Sequence, residues 1–257
     1  MIILDDKRNE ALEAQRLVEE QANQEPPPTY SSLQHSTLAS EQSLRPSGSD
    51  NPTNFFSVCR GHDKVKETVT IDPNLYTPPS LLLPMSPDET EETRKHVRLE
   101  SIHGSVNATV NIVPVLRGEK CKIRMFMRSS HGGVFARING PESRHPFQLV
   151  AHSTYGSVTL RLPRSFEGPI MISLRYGSVK FSDEINKHLT TFGEANHVRH
   201  CFVGDLSRWH AGSDVDWGGD EIVVEAKYGG VKIQYDDDAP GSVVRVRPSL
   251  LNRVFGF

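Results

Sequence analysis

Five times between residues 102 and 231 the chain sets a His or Tyr before a glycine, then Ser or Gly, then Val: IHGSV, SHGGV, TYGSV, RYGSV and KYGGV. The glycines are Gly104, Gly132, Gly156, Gly177 and Gly229, separated by 28, 24, 21 and 52 residues. The last interval is about twice the others, as if one unit were replaced or degenerate. Recurrence at this period points to stacked supersecondary units.

Alternation within the units gives the recurrence a physical meaning. Before Gly156, Phe147, Leu149 and Ala151 share one face; after it, Val158, Leu160 and Leu162 do. The parity of the apolar positions has flipped. Ile172 and Leu174 flip likewise against Val179 and Phe181, as do Ile222, Val224 and Ala226 against Val231 and Ile233. Side chains alternate along a strand, so a ribbon that keeps one face buried across such a flip must turn or bulge there. The expectation is a β-corner at each glycine, with the residue chosen for its tolerance of positive φ. The fold class is therefore all-β, and two architectures remain open. One is a β-solenoid of Gly-[Ser/Gly]-Val repeats whose Val residues stack in a ladder. The other is an antiparallel β-sandwich of hairpins, in which Ala226 pairs opposite Val231 and Val224 opposite Ile233.

Outside the repeat the chain changes character. Residues 1–54 read as a disordered N-terminal tail, with a short helix over 5–22 and a Pro, Ser, Gln and Thr-rich run after it. Residues 55–238 read as the all-β repeat domain, interrupted by an exposed Pro-rich and acidic connection over 74–96; residues 239–257 read as a C-terminal tail. Apolar residues make up 36% of the chain and formal net charge is -3, which argues against general attraction to nucleic acid. Cys59, Cys121 and Cys201 are odd in number and widely spaced, which suits a reducing compartment, and no apolar run approaches a membrane span. The expected location is cytoplasmic.

The run VTLRLPRSFEGPIMISLRYGSVKFS resembles a bacterial adhesin-like β-solenoid repeat family, in which strand, Leu-Pro, polar turn, strand and Gly-x-Val follow one another. The layout from about Pro26 to Asp238 also resembles an uncharacterised domain of fungal proteins, through its Pro-rich tail, Gly-Ser-Val corners, CFVGD and WGGDEIVVEAKYGGVKIQYDD. The first resemblance implies a β-solenoid. Neither implies a catalytic residue.

Chemistry-bearing candidates are few. His103, His131, Tyr155, Tyr176 and Tyr228 precede the corner glycines and, if stacked, would form a recognition strip along one edge. His197, His200 and Cys201 carry zinc-type donors, and Asp214, Asp216 and Asp220 carry hard-cation donors. Neither spacing matches a closed site, so no metal or other cofactor is expected, and the aspartates read as a solvated acidic turn. Arg117, Lys120, Lys122, Arg124 and Arg128 form a basic strip that reads as a solvated strand face. No Gly-x-Ser-x-Gly elbow or phosphate loop occurs, so no enzyme is expected. The motif with a recognisable partner is Pro27-Pro28-Thr29-Tyr30, a Pro-Pro-x-Tyr element of the kind that WW domains bind in a polyproline II conformation. The reading is a non-catalytic interaction or scaffold protein whose tail recruits a WW-domain protein such as a ubiquitin ligase or adaptor. The alternative is a carbohydrate-binding or adhesin-like β-solenoid.

Overall fold

A computed structural model describes residues 51–87, 89–116, 118–209, 217–238 and 243–245. The expected helix over 5–22 and the Pro27, Pro28 and Tyr30 motif lie outside the described residues. Each repeat unit is a pair of strands joined at a corner: β1 (Phe56–Arg60) with β2 (Val65–Ile71), β3 (Val97–Ser101) with β4 (Val106–Ile112), β5 (Ile123–Ser129) with β6 (Val134–Asn139), β7 (Phe147–Ser153) with β8 (Val158–Leu162), and β9 (Gly168–Leu174) with β10 (Val179–Ser182). A short helix α1 (Asp183–Lys187), the hairpin β11 (Leu189–Ala195) and β12 (Val198–Val203), the pair β13 (Glu221–Ala226) and β14 (Val231–Tyr235), and β15 (Val243–Arg245) follow.

The two strands flanking a corner fall in different sheets. One sheet runs β1-β3-β5-β7-β13-β9-β12-β11 and the other β15-β10-β14-β8-β6-β4-β2. Neighbours are parallel except at the β12, β11 and β15 end. The parity flip read from the sequence thus carries the apolar side chains of both strands inward. Phe147, Leu149 and Ala151 and, past the corner, Val158, Leu160 and Leu162 all have no exposed surface. Ala226 pairs with Ser153 and Leu174, while Val231 pairs with Val158 and Val179, so these strands look outward to other units and not across their own corner. Val65, Val106, Val134, Val158, Val231 and Val179 stand in one register row, all buried.

Sequence order and spatial order diverge at the doubled interval. β13 inserts between β7 and β9, and β14 between β8 and β10. The intervening chain makes α1 and the β11–β12 hairpin, whose β12 runs antiparallel along β9 and whose β11 ends that sheet. The other sheet ends on β15, antiparallel to β10, so Val243–Arg245 of the expected C-terminal tail joins a sheet. At the opposite end β1 and β2 pair with β3 and β4. There Glu67, in register with buried Ala108, meets Arg60 at 3.3 Å and closes the end of the core with charge.

The connection over 74–96 contains a 3-10 turn at Pro79–Leu81 with Leu81 and Leu83 exposed, and it covers some of the β1 and β3 region. His96, at its end, stacks on Phe55 and accepts the Arg124 N–H at Nδ1, 3.0 Å away. In the next unit His145 does likewise, accepting the Cys121 N–H at Nδ1.

Candidate binding edge

The corner residues build an edge from the backbone outward. In three units a serine stands three residues before the glycine, as SIHG, SSHG and STYG. Ser101, Ser129 and Ser153 are buried, and each Oγ accepts the N–H of its own corner glycine at 2.8 to 3.0 Å. Each hydroxyl also reaches the unit before: Ser101 to the Asp63 carbonyl, Ser129 to the Gly104 carbonyl and Ser153 to the Gly132 carbonyl. A buried hydroxyl thus staples one corner to the next and satisfies backbone groups that the turn would orphan. Apolar parity carries no sign of these serines, although the S-x-[His/Tyr]-Gly spacing does; Leu174 and Ala226 occupy the position in the other two units.

The glycines serve close approach more than dihedral freedom, which corrects the sequence expectation. Of the five, Gly177 alone adopts a left-handed φ, at 139°. At Gly104, Gly132, Gly156 and Gly229 a Cβ would lie 2.0 to 2.5 Å from a carbonyl oxygen of the neighbouring unit. Backbone lies directly over backbone at the corner, and any side chain there would fill occupied space.

This stacking places the preceding rings one above the other. His62, His103, His131, Tyr155, Tyr228 and Tyr176 form an unbroken series, with successive centroids 4.9, 4.7, 5.3, 5.2 and 5.3 Å apart and planes inclined by 4 to 25°. All five ring residues singled out in the sequence are brought together. His62 was missed, because its corner reads GHDKV without a glycine after the ring. Tyr228 stands between Tyr155 and Tyr176, following the insertion of its strands. The three tyrosines are about half exposed. The faces of the inner rings are taken up by their neighbours, so the strip does not offer ring faces along its length. It offers ring edges, where the quadrupole is positive and the hydroxyl and imidazole nitrogen groups lie. Lys227 and Arg175 flank the tyrosine end, their cationic groups 5.3 Å from the Tyr228 centroid and 5.7 Å from that of Tyr176.

Beside that end lies a recess of about 390 Å3, bounded by Arg175, Lys227, Ser173 and the His152–Glu225 pair, whose Nδ1 and Oε2 are 3.0 Å apart. Its far wall is the β11–β12 turn, where Asn196 and His197 hold left-handed φ of 53° and 66°. His197 therefore sits at a hairpin tip, while His200 is exposed and the neighbouring Cys201 is buried, so the three do not converge on one point. Burial pushes the Cys201 thiol up, away from the reactive thiolate.

Asp220 departs from the expected solvated turn. It is 5% exposed, takes Arg144 in a bidentate pair at 2.7 and 2.5 Å, and accepts the Phe147 N–H at 3.0 Å. Its carboxylate is fully engaged, and among the described residues no group of three or more His, Cys, Asp and Glu is arranged to hold a metal ion. Asp214 and Asp216 lie outside the described residues. The basic strip is split up: Lys122 donates to the Trp217 carbonyl and lies 3.8 Å from Glu221, while Arg128 stands in register with Glu100 and His152. Arg117 is outside the described residues.

Among the described residues no helix is long and apolar enough to cross a membrane. No curated protein and no solved structure matches the chain. A family model described as a domain of unknown function, DUF7330, matches residues 54–238, from the strand that opens the first unit to the acidic turn that closes the last, and the chain belongs to that family.

Proposed function

We propose that this protein is a non-catalytic interaction scaffold. Its body is a β-solenoid presenting rows of identical or similar side chains, and its Pro27-Pro28-x-Tyr30 segment recruits a WW-domain partner such as a ubiquitin ligase or adaptor in the cytoplasm. The observation that carries the reading is the series of six exposed rings at the corners. Parallel in-register stacking fixes their spacing, and the buried serine staples hold the backbone beneath them, so the edge is preorganised and loses little freedom on binding. Its partner chemistry is set by ring edges, tyrosine hydroxyls and the flanking Arg175 and Lys227. That combination suits hydrogen-bond acceptors and carboxylates on a protein partner better than the ring-face stacking a neutral sugar would need.

Two measurements test the two halves separately. A peptide of residues 23–34 is titrated into purified WW domains; Tyr30→Ala should abolish binding, and unchanged binding rejects the tail. Proximity labelling then compares the full chain with one carrying Tyr155→Ser, Tyr176→Ser and Tyr228→Ser. The variant should lose neighbours that tail deletion leaves in place, and an unaltered set of neighbours rejects the corner edge.

A further inference from the structure

The outer face of the seven-stranded sheet carries a charge that the chain's net value of -3 conceals. Three register rows cross it. The first runs Lys66, Asn107, Phe135, Thr159, Lys232, Lys180 on β2, β4, β6, β8, β14 and β10. The second runs Thr68, Thr109, Arg137, Arg161 and Gln234, and the third Thr70, Asn111 and Asn139. None of these side chains is acidic.

Lys180, Lys232, Arg161 and Arg137 occupy four consecutive strands and draw an oblique line of cations, with strand neighbours about 4.8 Å apart. One acid, Asp236, offsets part of this line at its arginine end, so four cations meet one carboxylate and the surplus falls on Lys180 and Lys232. Asp236 holds Arg137 at 2.6 Å and lies 4.0 Å from Arg161, while Asp237 and Asp238 hold Arg164. The other sheet differs: two of its outer rows carry both signs, Glu100, Arg128, His152 and Glu225 in one and Arg124 and Glu221 in another. Charge is segregated by face.

We infer that this face binds an extended acidic polysaccharide, one bearing a carboxylate on successive sugars. A line of cations on consecutive strands matches charges strung along one chain better than charges spread over a plane, which argues against a lipid surface. Single-stranded nucleic acid needs open aromatic faces for its bases. The one aromatic ring in these rows, Phe135, has the Arg161 guanidinium over it at 6.0 Å. Around the cations stand Thr159, Thr109, Asn107 and Asn111, whose hydroxyls and amides match sugar hydroxyls. This surface is separate from the ring edge at the corners, so the two proposals fail independently.

The test is titration of the full chain with polygalacturonate, with dextran, oligo(dT) and phosphatidylserine vesicles as parallel probes. Two charge-reversed chains of equal net charge are compared, K180E/K232E on this face and R124E/R128E on the other, with K180Q/K232Q as a milder variant should the first fail to fold. Polygalacturonate should bind the parent chain with an affinity that falls as salt rises. It should bind K180E/K232E about tenfold or more weaker, the glutamine pair also weaker, and R124E/R128E nearly as well as the parent. No binding of polygalacturonate overturns the inference. So does equal loss in both charge-reversed chains, which would make the effect one of net charge, and so does binding of oligo(dT) or vesicles in its place.

Discussion

Replacing Gly156 by Ala separates the two reasons a corner can demand glycine. Gly156 does not hold a left-handed φ, so alanine meets no dihedral penalty there. Its Cβ, however, would lie 2.3 Å from the Gly132 carbonyl oxygen, about 1.1 Å short of an ordinary 3.4 Å contact, and 2.4 Å from the carbonyl carbon. The obstacle is backbone and cannot rotate away. Relief requires the two units to separate at the corner. The bonds joining them there, Tyr155 N–H to Ser130 at 3.1 Å, Thr154 N–H to Ser129 at 3.2 Å and Val134 N–H to Ser157 at 3.0 Å, would open beyond hydrogen-bonding range. Each is worth about 1 kcal/mol net. Together they give a loss of about 2 to 3 kcal/mol, at the upper end of typical overpacking costs. For a domain of this size that lowers the melting temperature by roughly 5 to 10 °C. The control is Gly61→Ala, also free of a left-handed φ but with nothing within 4 Å of its Cβ. It should leave the melting temperature unchanged or raise it slightly, because alanine restricts the unfolded chain. Thermal melts of the three chains decide the matter. Equal behaviour of Gly156→Ala and Gly61→Ala would refute the close-approach argument.

Ser153→Ala removes a buried hydroxyl that serves the Gly156 N–H and the Gly132 carbonyl, and should cost about 1 to 3 kcal/mol by denaturant titration with the m-value unchanged. Asp220→Asn leaves the Arg144 guanidinium buried without its counter-charge and should cost about 3 to 5 kcal/mol; Arg144→Met with Asp220→Asn together should recover some of that loss. His96 has its pKa lowered to about 4 by burial, with smaller contributions from Arg124 and His145. The unfolded chain therefore takes up this proton first, so stability is full above about pH 6.5 and falls as pH drops from there towards 4, by about 3 kcal/mol in all. The stability difference between the parent chain and His96→Gln, measured at pH 7 and pH 5, should shrink at the lower pH, and a constant difference would contradict the neutral histidine.

The inward faces of the strands were legible because apolar alternation is a local signal. Phe147, Leu149 and Ala151, and Val158, Leu160 and Leu162, declare their side without reference to any partner. The corner rings were legible for the same reason, since in-register stacking follows once the units repeat. Partner choice was not legible. Whether Ala226 meets Val231 or Ser153 depends on which strand lies alongside, and alternation is identical in both cases. The close approach that demands glycine is not legible, because sequence carries no information on what lies above a residue in the next unit. Asp220 looked solvated because its partner, Arg144, is 76 residues away. Charge segregation was hidden similarly: Lys66, Arg137, Lys180 and Lys232 are scattered along the chain and gather on one face only when the sheet order is known.

The doubled interval before Gly229 follows from how the sheets are closed. A chain that simply continued past β10 would have left β9 and β10 as open edges, which invite pairing with other chains. Instead the hairpin covers β9 from outside, and the chain returns to place β13 and β14 inside the stack. Val224 then pairs with Ala151 on one side and Ile172 on the other, so a single strand satisfies two facing edges at once. The entry point of this returning chain is where the structure concentrates its strongest polar contacts. Asp220, immediately before β13, takes Arg144 and the Phe147 N–H, while the Trp217 indole donates to the Asp220 carbonyl. Hydrophobic faces alone would tolerate β13 slipping by two residues, because apolar alternation repeats with that period. A buried bidentate pair has one geometry and fixes the register that alternation leaves undecided. The same register brings Tyr228 between Tyr155 and Tyr176 and Lys232 beside Lys180, so both proposed binding surfaces depend on where this late strand pair locks.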